Sequence, residues 1–267
     1  MSARIGDYLR VSWREGGDKV APVLVLLHAF PLSSAMWDAQ LERFPTLRVL
    51  APDARGVGDS SPFFDAPSVE QMARDVAAWL DYLGIERAIV GGCSMGGYTA
   101  LEFARHFPNR LRGLILCDTR ADADAPEAKA ARDETIAFAR KHDSLALANR
   151  MLPRLLCPQT LADKPAIAER VRDLARPLSG EVAAQLVAAL RDRHDSSALL
   201  NSIRVPTLAI GGREDPLSPP EVMAQMATRI KGAHHVTLEN AGHLSPLEQP
   251  EAWNHAIETW MRQAGLE

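Results

Sequence analysis

Cysteine is scarce in this 267-residue chain: Cys93, Cys117 and Cys157 are the whole set, odd in number and widely spaced. That excludes a disulfide framework and paired zinc-ligand motifs, and leaves reduced thiols as the expectation. No block of like charge is long enough to follow a phosphate backbone, and 30 basic against 34 acidic side chains leave a formal net charge of -4. Nucleic acid is therefore not an expected partner. No apolar run approaches bilayer length, and Met1 to Asp7 lacks the basic-then-apolar order of a secretory signal. The expectation is a cytoplasmic protein with no membrane partner. Repeats and low-complexity tracts are missing too, apart from a mild alanine and acid bias from Ala121 to Ala131.

What is present is the balance of a folded globular chain, 46% hydrophobic and 24% charged. Tyr8 to Trp13 alternates and meets Gly16-Gly17, which predicts a hairpin strand leading to the next run. Four further runs are apolar without alternation: Val23 to Leu27, Ile89-Val90, Leu114 to Leu116 and Thr207 to Ile210. Strands apolar on both faces belong to a mostly parallel sheet covered by helices on both sides. Between them, Ser68 with Gln71 opens a capped helix whose Val69, Met72, Val76, Leu80 and Leu83 recur at helical spacing up to Gly84. A second helix ends at Phe107 before Pro108, and Pro246 to Met261 reads as one long C-terminal helix with its prolines in the first turns. The fold class is α/β. From about Thr119 to Ser202 the alternation stops, and an Ala-, Arg-, Asp- and Leu-rich stretch predicts a helical insertion.

The strongest chemical signal follows the Ile89-Val90 strand: Gly91-Gly92-Cys93-Ser94-Met95-Gly96-Gly97 contains G-x-S-x-G and opens a helix. A strand that turns at once into a helix bends too sharply for bulky flanking residues, and Gly92 and Gly96 supply the room. The spacing fits neither a dinucleotide fingerprint nor a P-loop, which needs Gly-Lys. Ser94 is a weak nucleophile alone and requires a base held by a carboxylate. Asn240 to Pro246 places His243 in a loop after the strand Val236 to Leu238, making it the candidate base, while His234 and His235 read as strand-edge residues. Ile210 to Pro216 places Asp215 at the carboxyl end of a strand, with Glu214 and Asp118 as rivals for the orienting role. The order Ser, Asp, His is that of α/β-hydrolases.

Five landmarks in order, His28-Ala29-Phe30-Pro31, Pro52 to Ser60, Gly92 to Gly96, the Asp215 loop and the His243 loop, carry a family resemblance. The chain resembles the α/β-hydrolase superfamily, in particular its small esterase, lactonase and cofactor-free haloperoxidase/perhydrolase members. The resemblance implies a mostly parallel central sheet flanked by helices, with residues 1–118 and 203–267 as core and 119–202 as a helical cap. It puts the backbone N–H groups of Phe30 and Met95 in an oxyanion hole. Ala29 departs from the family's usual glycine and puts the geometry of that hole in question. His28 reads as a loop anchor, and the segment from Asp53 to Ser60 as a structural turn in place of a phosphate or metal loop. Trp37, Met151, Leu152, Leu155 and Leu156 are candidates for substrate contact, through the cap's apolar face in the case of the last four.

The implied activity is cleavage of small to medium carboxylic esters through an acyl-enzyme, with no metal and no organic cofactor required. Enol-lactone hydrolysis and cofactor-free perhydrolysis are the alternatives, followed by carbon–carbon bond hydrolysis and a non-catalytic ligand receptor. Haloalkane dehalogenases and epoxide hydrolases carry aspartate at the elbow, where this chain has Ser94. The expected partner is a small ester or lactone. A homo-oligomer is compatible with the sequence, which does not specify one.

Overall fold

A computed structural model describes residues 1–267. Eight strands form one sheet: β1 (Ser2–Ile5), β2 (Leu9–Gly17), β3 (Val23–Leu27), β4 (Arg48–Pro52), β5 (Ala88–Cys93), β6 (Leu111–Cys117), β7 (Thr207–Gly212) and β8 (His234–Leu238). Their spatial order is β1-β2-β4-β3-β5-β6-β7-β8. The six from β4 to β8 pair in parallel, and β1 and β2 are antiparallel additions at one edge. The hairpin expected between β2 and β3 does not form. Gly16 and Gly17 lie inside β2 and pair with Val49 and Arg48 of β4, so β2 meets β1 and β4 instead.

Alternation along each parallel strand divides the core in two. Leu24, Leu26, Ile89, Ile115, Leu208 and Ile210 face a layer with Trp253, Ile257 and Trp260. Val25, Leu27, Val90, Leu114, Leu116 and Ala209 face the other, with Trp79, Leu80, Phe103 and Met223. The covering helices are α1 (Asp38–Arg43), α2 (Val69–Tyr82), α3 (Met95–His106), α10 (Pro220–Arg229) and α12 (Pro250–Ala264). Helix α2 starts as its sequence predicts, the Ser68 hydroxyl accepting the Gln71 N–H at 3.1 Å. The single C-terminal helix is instead two, α11 (Ser245–Glu248) and α12. Pro250 has no N–H to continue α11, and it holds Gln249 at φ -134°, ψ 59°, outside the helical region.

Between β6 and β7 the chain forms only helices: α4 (Pro126–Lys141), α5 (Ser144–Leu155), α6 (Pro158–Asp163), α7 (Pro165–Ala175), α8 (Gly180–Arg191) and α9 (Ser197–Leu200). Helices α4 and α8 pack on each other and share a third apolar cluster with Phe30, Met95 and Tyr98. Helices α5 and α7 join the sheet's first core layer through Leu152, Leu155 and Val171. The insertion therefore rests on the carboxyl ends of the strands. No helix of the chain is long and apolar enough to cross a membrane.

Candidate active site

The turn from β5 to α3 holds Ser94 at φ 53°, ψ -111°, a conformation non-glycine residues rarely adopt and which costs about 1–3 kcal/mol. Its neighbours make that turn possible. A Cβ on Gly92 would collide with the Gly96 backbone, and one on Gly96 with the Leu27 carbonyl. Two hydrogen bonds pin the strained residue: Ser94 N–H donates to the Cys117 carbonyl at 2.9 Å, and the Thr119 hydroxyl donates to the Ser94 carbonyl at 3.0 Å. The Ser94 hydroxyl is left half-exposed at the top of the sheet.

There Ser94 Oγ lies 2.7 Å from Nε2 of His243. The other ring nitrogen, Nδ1, lies 2.8 Å from Oδ2 of Asp215. Because an ionised carboxylate only accepts, Nδ1 carries the proton and Nε2 is free to accept from the serine. Asp215 is fixed in turn by the Leu217 and Ser218 amides on Oδ1, at 2.7 and 3.1 Å, and by the Ser218 hydroxyl on Oδ2 at 2.6 Å. The imidazole and carboxylate are buried. Burial works hardest against a charge on His243, but the charge and hydrogen bond of Asp215, with a further contribution from Asp118, outweigh it and raise the histidine's pKa. Burial likewise opposes the Asp215 carboxylate most strongly, yet His243, Ser218 and the Leu217 amide lower its pKa.

Both rivals for the orienting role lie elsewhere. Glu214 is exposed, and its backbone N–H donates to the Ala241 carbonyl at 2.9 Å. Asp118 is fully buried beneath the elbow, where Oδ1 accepts the Gly212 N–H at 2.8 Å. Its Oδ2 accepts the Ser245 hydroxyl at 2.6 Å, the Ser245 N–H at 3.1 Å and the Cys117 thiol at 3.2 Å. Asp118 thus locks the ends of β6 and β7 to the histidine loop without touching the imidazole. Cys93, Cys117 and Asp118 bring metal-type ligand atoms within 4.8 Å of one another, but the carboxylate oxygens are already taken by these donors.

The Phe30 and Met95 amides make no hydrogen bond within the protein. Ala29 lies outside the left-handed region, so replacing glycine there brings no backbone strain. His28 is an anchor: Nε2 accepts the Ala54 N–H at 3.0 Å and Nδ1 lies 3.0 Å from the Ala29 carbonyl, while burial lowers its pKa. Asp53 is structural too, accepting the Ser34 N–H at 2.7 Å and the Ser12 hydroxyl at 2.8 Å. His234 and His235 are exposed on the edge strand β8.

Trp37 is not a pocket residue. It is fully buried and packs on Trp253 with ring centroids 5.4 Å apart, because the apolar layer under the sheet needs its bulk. Leu152, Leu155 and Leu156 are also buried, as packing between insertion and sheet. Met151 alone of the five remains partly exposed, against both this layer and the cluster holding Phe30 and Met95. A cavity lined by His28, Arg55, Asp75, Trp79 and Met95 among others includes none of Ser94, Asp215 and His243. Sequence reasoning missed Ser218 and Glu248. The first had a signal, an Asp-Pro-Leu-Ser run suited to an Asx turn; the second, in a short apolar turn, had none.

An open parallel sheet whose strand-to-helix elbow carries a serine bonded to a histidine–carboxylate pair defines a class of α/β enzymes. Residues 22–250 match the family model described as the alpha/beta hydrolase fold, and the chain belongs to that family. It is 33% identical over 251 residues to 3-oxoadipate enol-lactonase 2 of Acinetobacter baylyi, covering 92% of this chain and 91% of the relative. A thermophilic esterase from Thermogutta terrifontis, solved with malate bound, superposes with a TM-score of 0.91 at 38% identity, covering 96% of this chain and 94% of the other. The enol-lactonase from Burkholderia xenovorans LB400 superposes with a TM-score of 0.90 at 29% identity, covering 98% and 100%.

Proposed function

We propose that the protein is a serine hydrolase cleaving small to medium carboxylic esters, with Ser94 as nucleophile, His243 as general base and Asp215 orienting the imidazole. The observation that carries this reading is the 2.7 Å approach of Ser94 Oγ to His243 Nε2. The serine oxygen attacks the ester carbonyl while Nε2 takes its proton. The oxyanion forms between the Phe30 and Met95 amides, whose lack of other partners supports that role; such a donor contributes about 10²–10³-fold in rate. Collapse breaks the ester C–O bond, and His243 returns the proton to the leaving alkoxide. Water, deprotonated by the same nitrogen, then releases the acid and restores Ser94. In this reading the insertion, residues 119–202, is a cap that shapes the pocket, with Met151 at its wall.

A lactone is a cyclic ester, and the same steps open it. The similarity to two enol-lactonases makes that the second reading, in which alcohol and acid leave as one molecule. A panel of p-nitrophenyl esters and lactones of graded size, run on the wild type and Ser94→Ala, tests both. The expected result is turnover in the wild type and a loss of about 10³–10⁶-fold in the variant. Wild-type turnover by a pure, folded Ser94→Ala sample refutes the assignment.

A further inference from the structure

His243 is gripped through the backbone on both sides. The Gly242 N–H, just before it, donates to Oε1 of Glu248 at 2.7 Å, and the Leu244 N–H, just after it, donates to the Leu155 carbonyl at 3.1 Å. Leu155 closes α5, and the next turn of the insertion supplies the Cys157 N–H, which donates to the second Glu248 oxygen, Oε2, at 2.8 Å. The Lys164 ammonium adds a bond to the Glu248 carbonyl at 3.3 Å. The two segments touch so closely that a Cβ on Gly242 would sit 2.7 Å from the Cys157 nitrogen and 2.9 Å from the Leu156 carbonyl carbon.

We infer that Glu248, a residue only 1% exposed, is a positioning residue that fastens the helical insertion to the histidine loop, its carboxylate bridging the Cys157 and Gly242 amides. The inference rests on His243 being the base. Each carboxylate oxygen serves one donor, so neither amide has another partner to fall back on. A shift of the insertion at residues 155–157 pulls on both neighbours of His243 and moves Nε2 relative to Ser94. Substrate that repacks the insertion is thereby sensed at the base, although Glu248 touches neither substrate nor imidazole.

Glu248→Gln tests this, because its amide keeps one acceptor oxygen and presents an N–H₂ group to the other donor. With p-nitrophenyl acetate, kcat falls about 10- to 100-fold and KM changes by less than about threefold, as expected for a reacting group displaced by a fraction of an ångström. The decisive readout is the labelling of Ser94 by a fluorophosphonate. A purely structural role lowers the plateau, which counts folded molecules, and leaves the rate unchanged; positioning lowers the rate. A wild-type rate in Glu248→Gln overturns the inference. Should that variant not fold, hydrogen exchange of the wild type decides: the Gly242 and Cys157 amides open together, and a Cys157 amide exchanging more than about tenfold faster overturns the bridge. A wild-type labelling rate in Glu248→Gln alongside an inactive Ser94→Ala removes only this inference, whereas an active Ser94→Ala removes the catalytic reading beneath it.

Discussion

Gly211 and Gly212 end β7 side by side, and the structure separates them sharply. A Cβ on Gly212 would fall on the Gly242 and Ala241 carbonyl oxygens, deep inside van der Waals contact, and both atoms are backbone of the histidine loop. To reach even 3.0 Å, the loop carrying His243 must back away from the loop carrying Asp215 by about 1 Å. A Cβ on Gly211 would first meet side-chain atoms, Asp118 Oδ1 at 3.1 Å and Met223 Cγ at 3.4 Å. Overpacking of this kind costs roughly 1–3 kcal/mol, and for a chain of this size each kcal/mol lowers Tm by about 2–4 °C. A shift near 1 Å also costs about 10²-fold in rate. Gly212→Ala is therefore expected to melt roughly 2–12 °C lower and to lose about 10²-fold in kcat, while Gly211→Ala keeps kcat within about threefold. Thermal unfolding and p-nitrophenyl acetate kinetics measure both. Equal kinetics in the two variants would refute the reasoning that this glycine sets the spacing of the carboxylate and histidine loops.

Removing the carboxylate changes both rate and pH dependence. With His243 as the base of the proposed mechanism, acylation needs neutral imidazole, so kcat/KM of the wild type is expected to rise through a midpoint above the ordinary histidine value of 6.5. Asp215→Asn removes the main groups that raise it, so the midpoint falls while kcat drops by about 10⁴-fold; an unmoved midpoint contradicts the assignment. Stability follows the same pair. The raised His243 contributes fully below 6.5 and loses its contribution as pH rises through its folded value, whereas the lowered Asp215 contributes above 3.8 and loses it as pH falls through its own. Both contributions are full between 3.8 and 6.5, so Asp215→Asn lowers Tm most in that range and weakens the decline of Tm as pH rises above 6.5 or falls below 3.8. Trp37→Ala should cost about 3–5 kcal/mol by urea unfolding and leave ester chain-length preference unchanged per folded molecule. Altered preference at unaltered stability would restore Trp37 to the pocket.

The parts legible from the sequence share a physical cause. Doubly covered strands must be apolar on both faces, so β3, β5, β6 and β7 announced themselves by composition. The elbow was legible because only glycine tolerates the approach of Gly96 to Leu27, a constraint that fixes spacing as well as residue type. The break at Gln249 was hidden because proline in a first turn and proline ending a previous helix read alike until the chain path is known. The pairing of β2 with β4 was hidden because alternation reports a strand without naming its neighbour. Trp37 misled because an aromatic in a loop near His28 looks the same whether it faces ligand or core.

The carboxylates show where such reading stops. Asp118, Asp215 and Glu248 are all nearly inaccessible and all close to His243 in sequence or in space. Only Asp215 reaches the ring; Asp118 and Glu248 accept backbone N–H groups on either side of it, at Ser245 and Gly242. A buried carboxylate left without donors would cost several kcal/mol, so each is retained only because the fold aims main-chain amides at it. Those amides belong to every residue alike and leave no mark in the sequence. A side chain that must be a serine or a histidine can be found by its type, but a loop held by amides becomes visible only when the chain is folded. In this enzyme the fixed placement of His243 over Ser94 depends on the second kind of interaction as much as on the first.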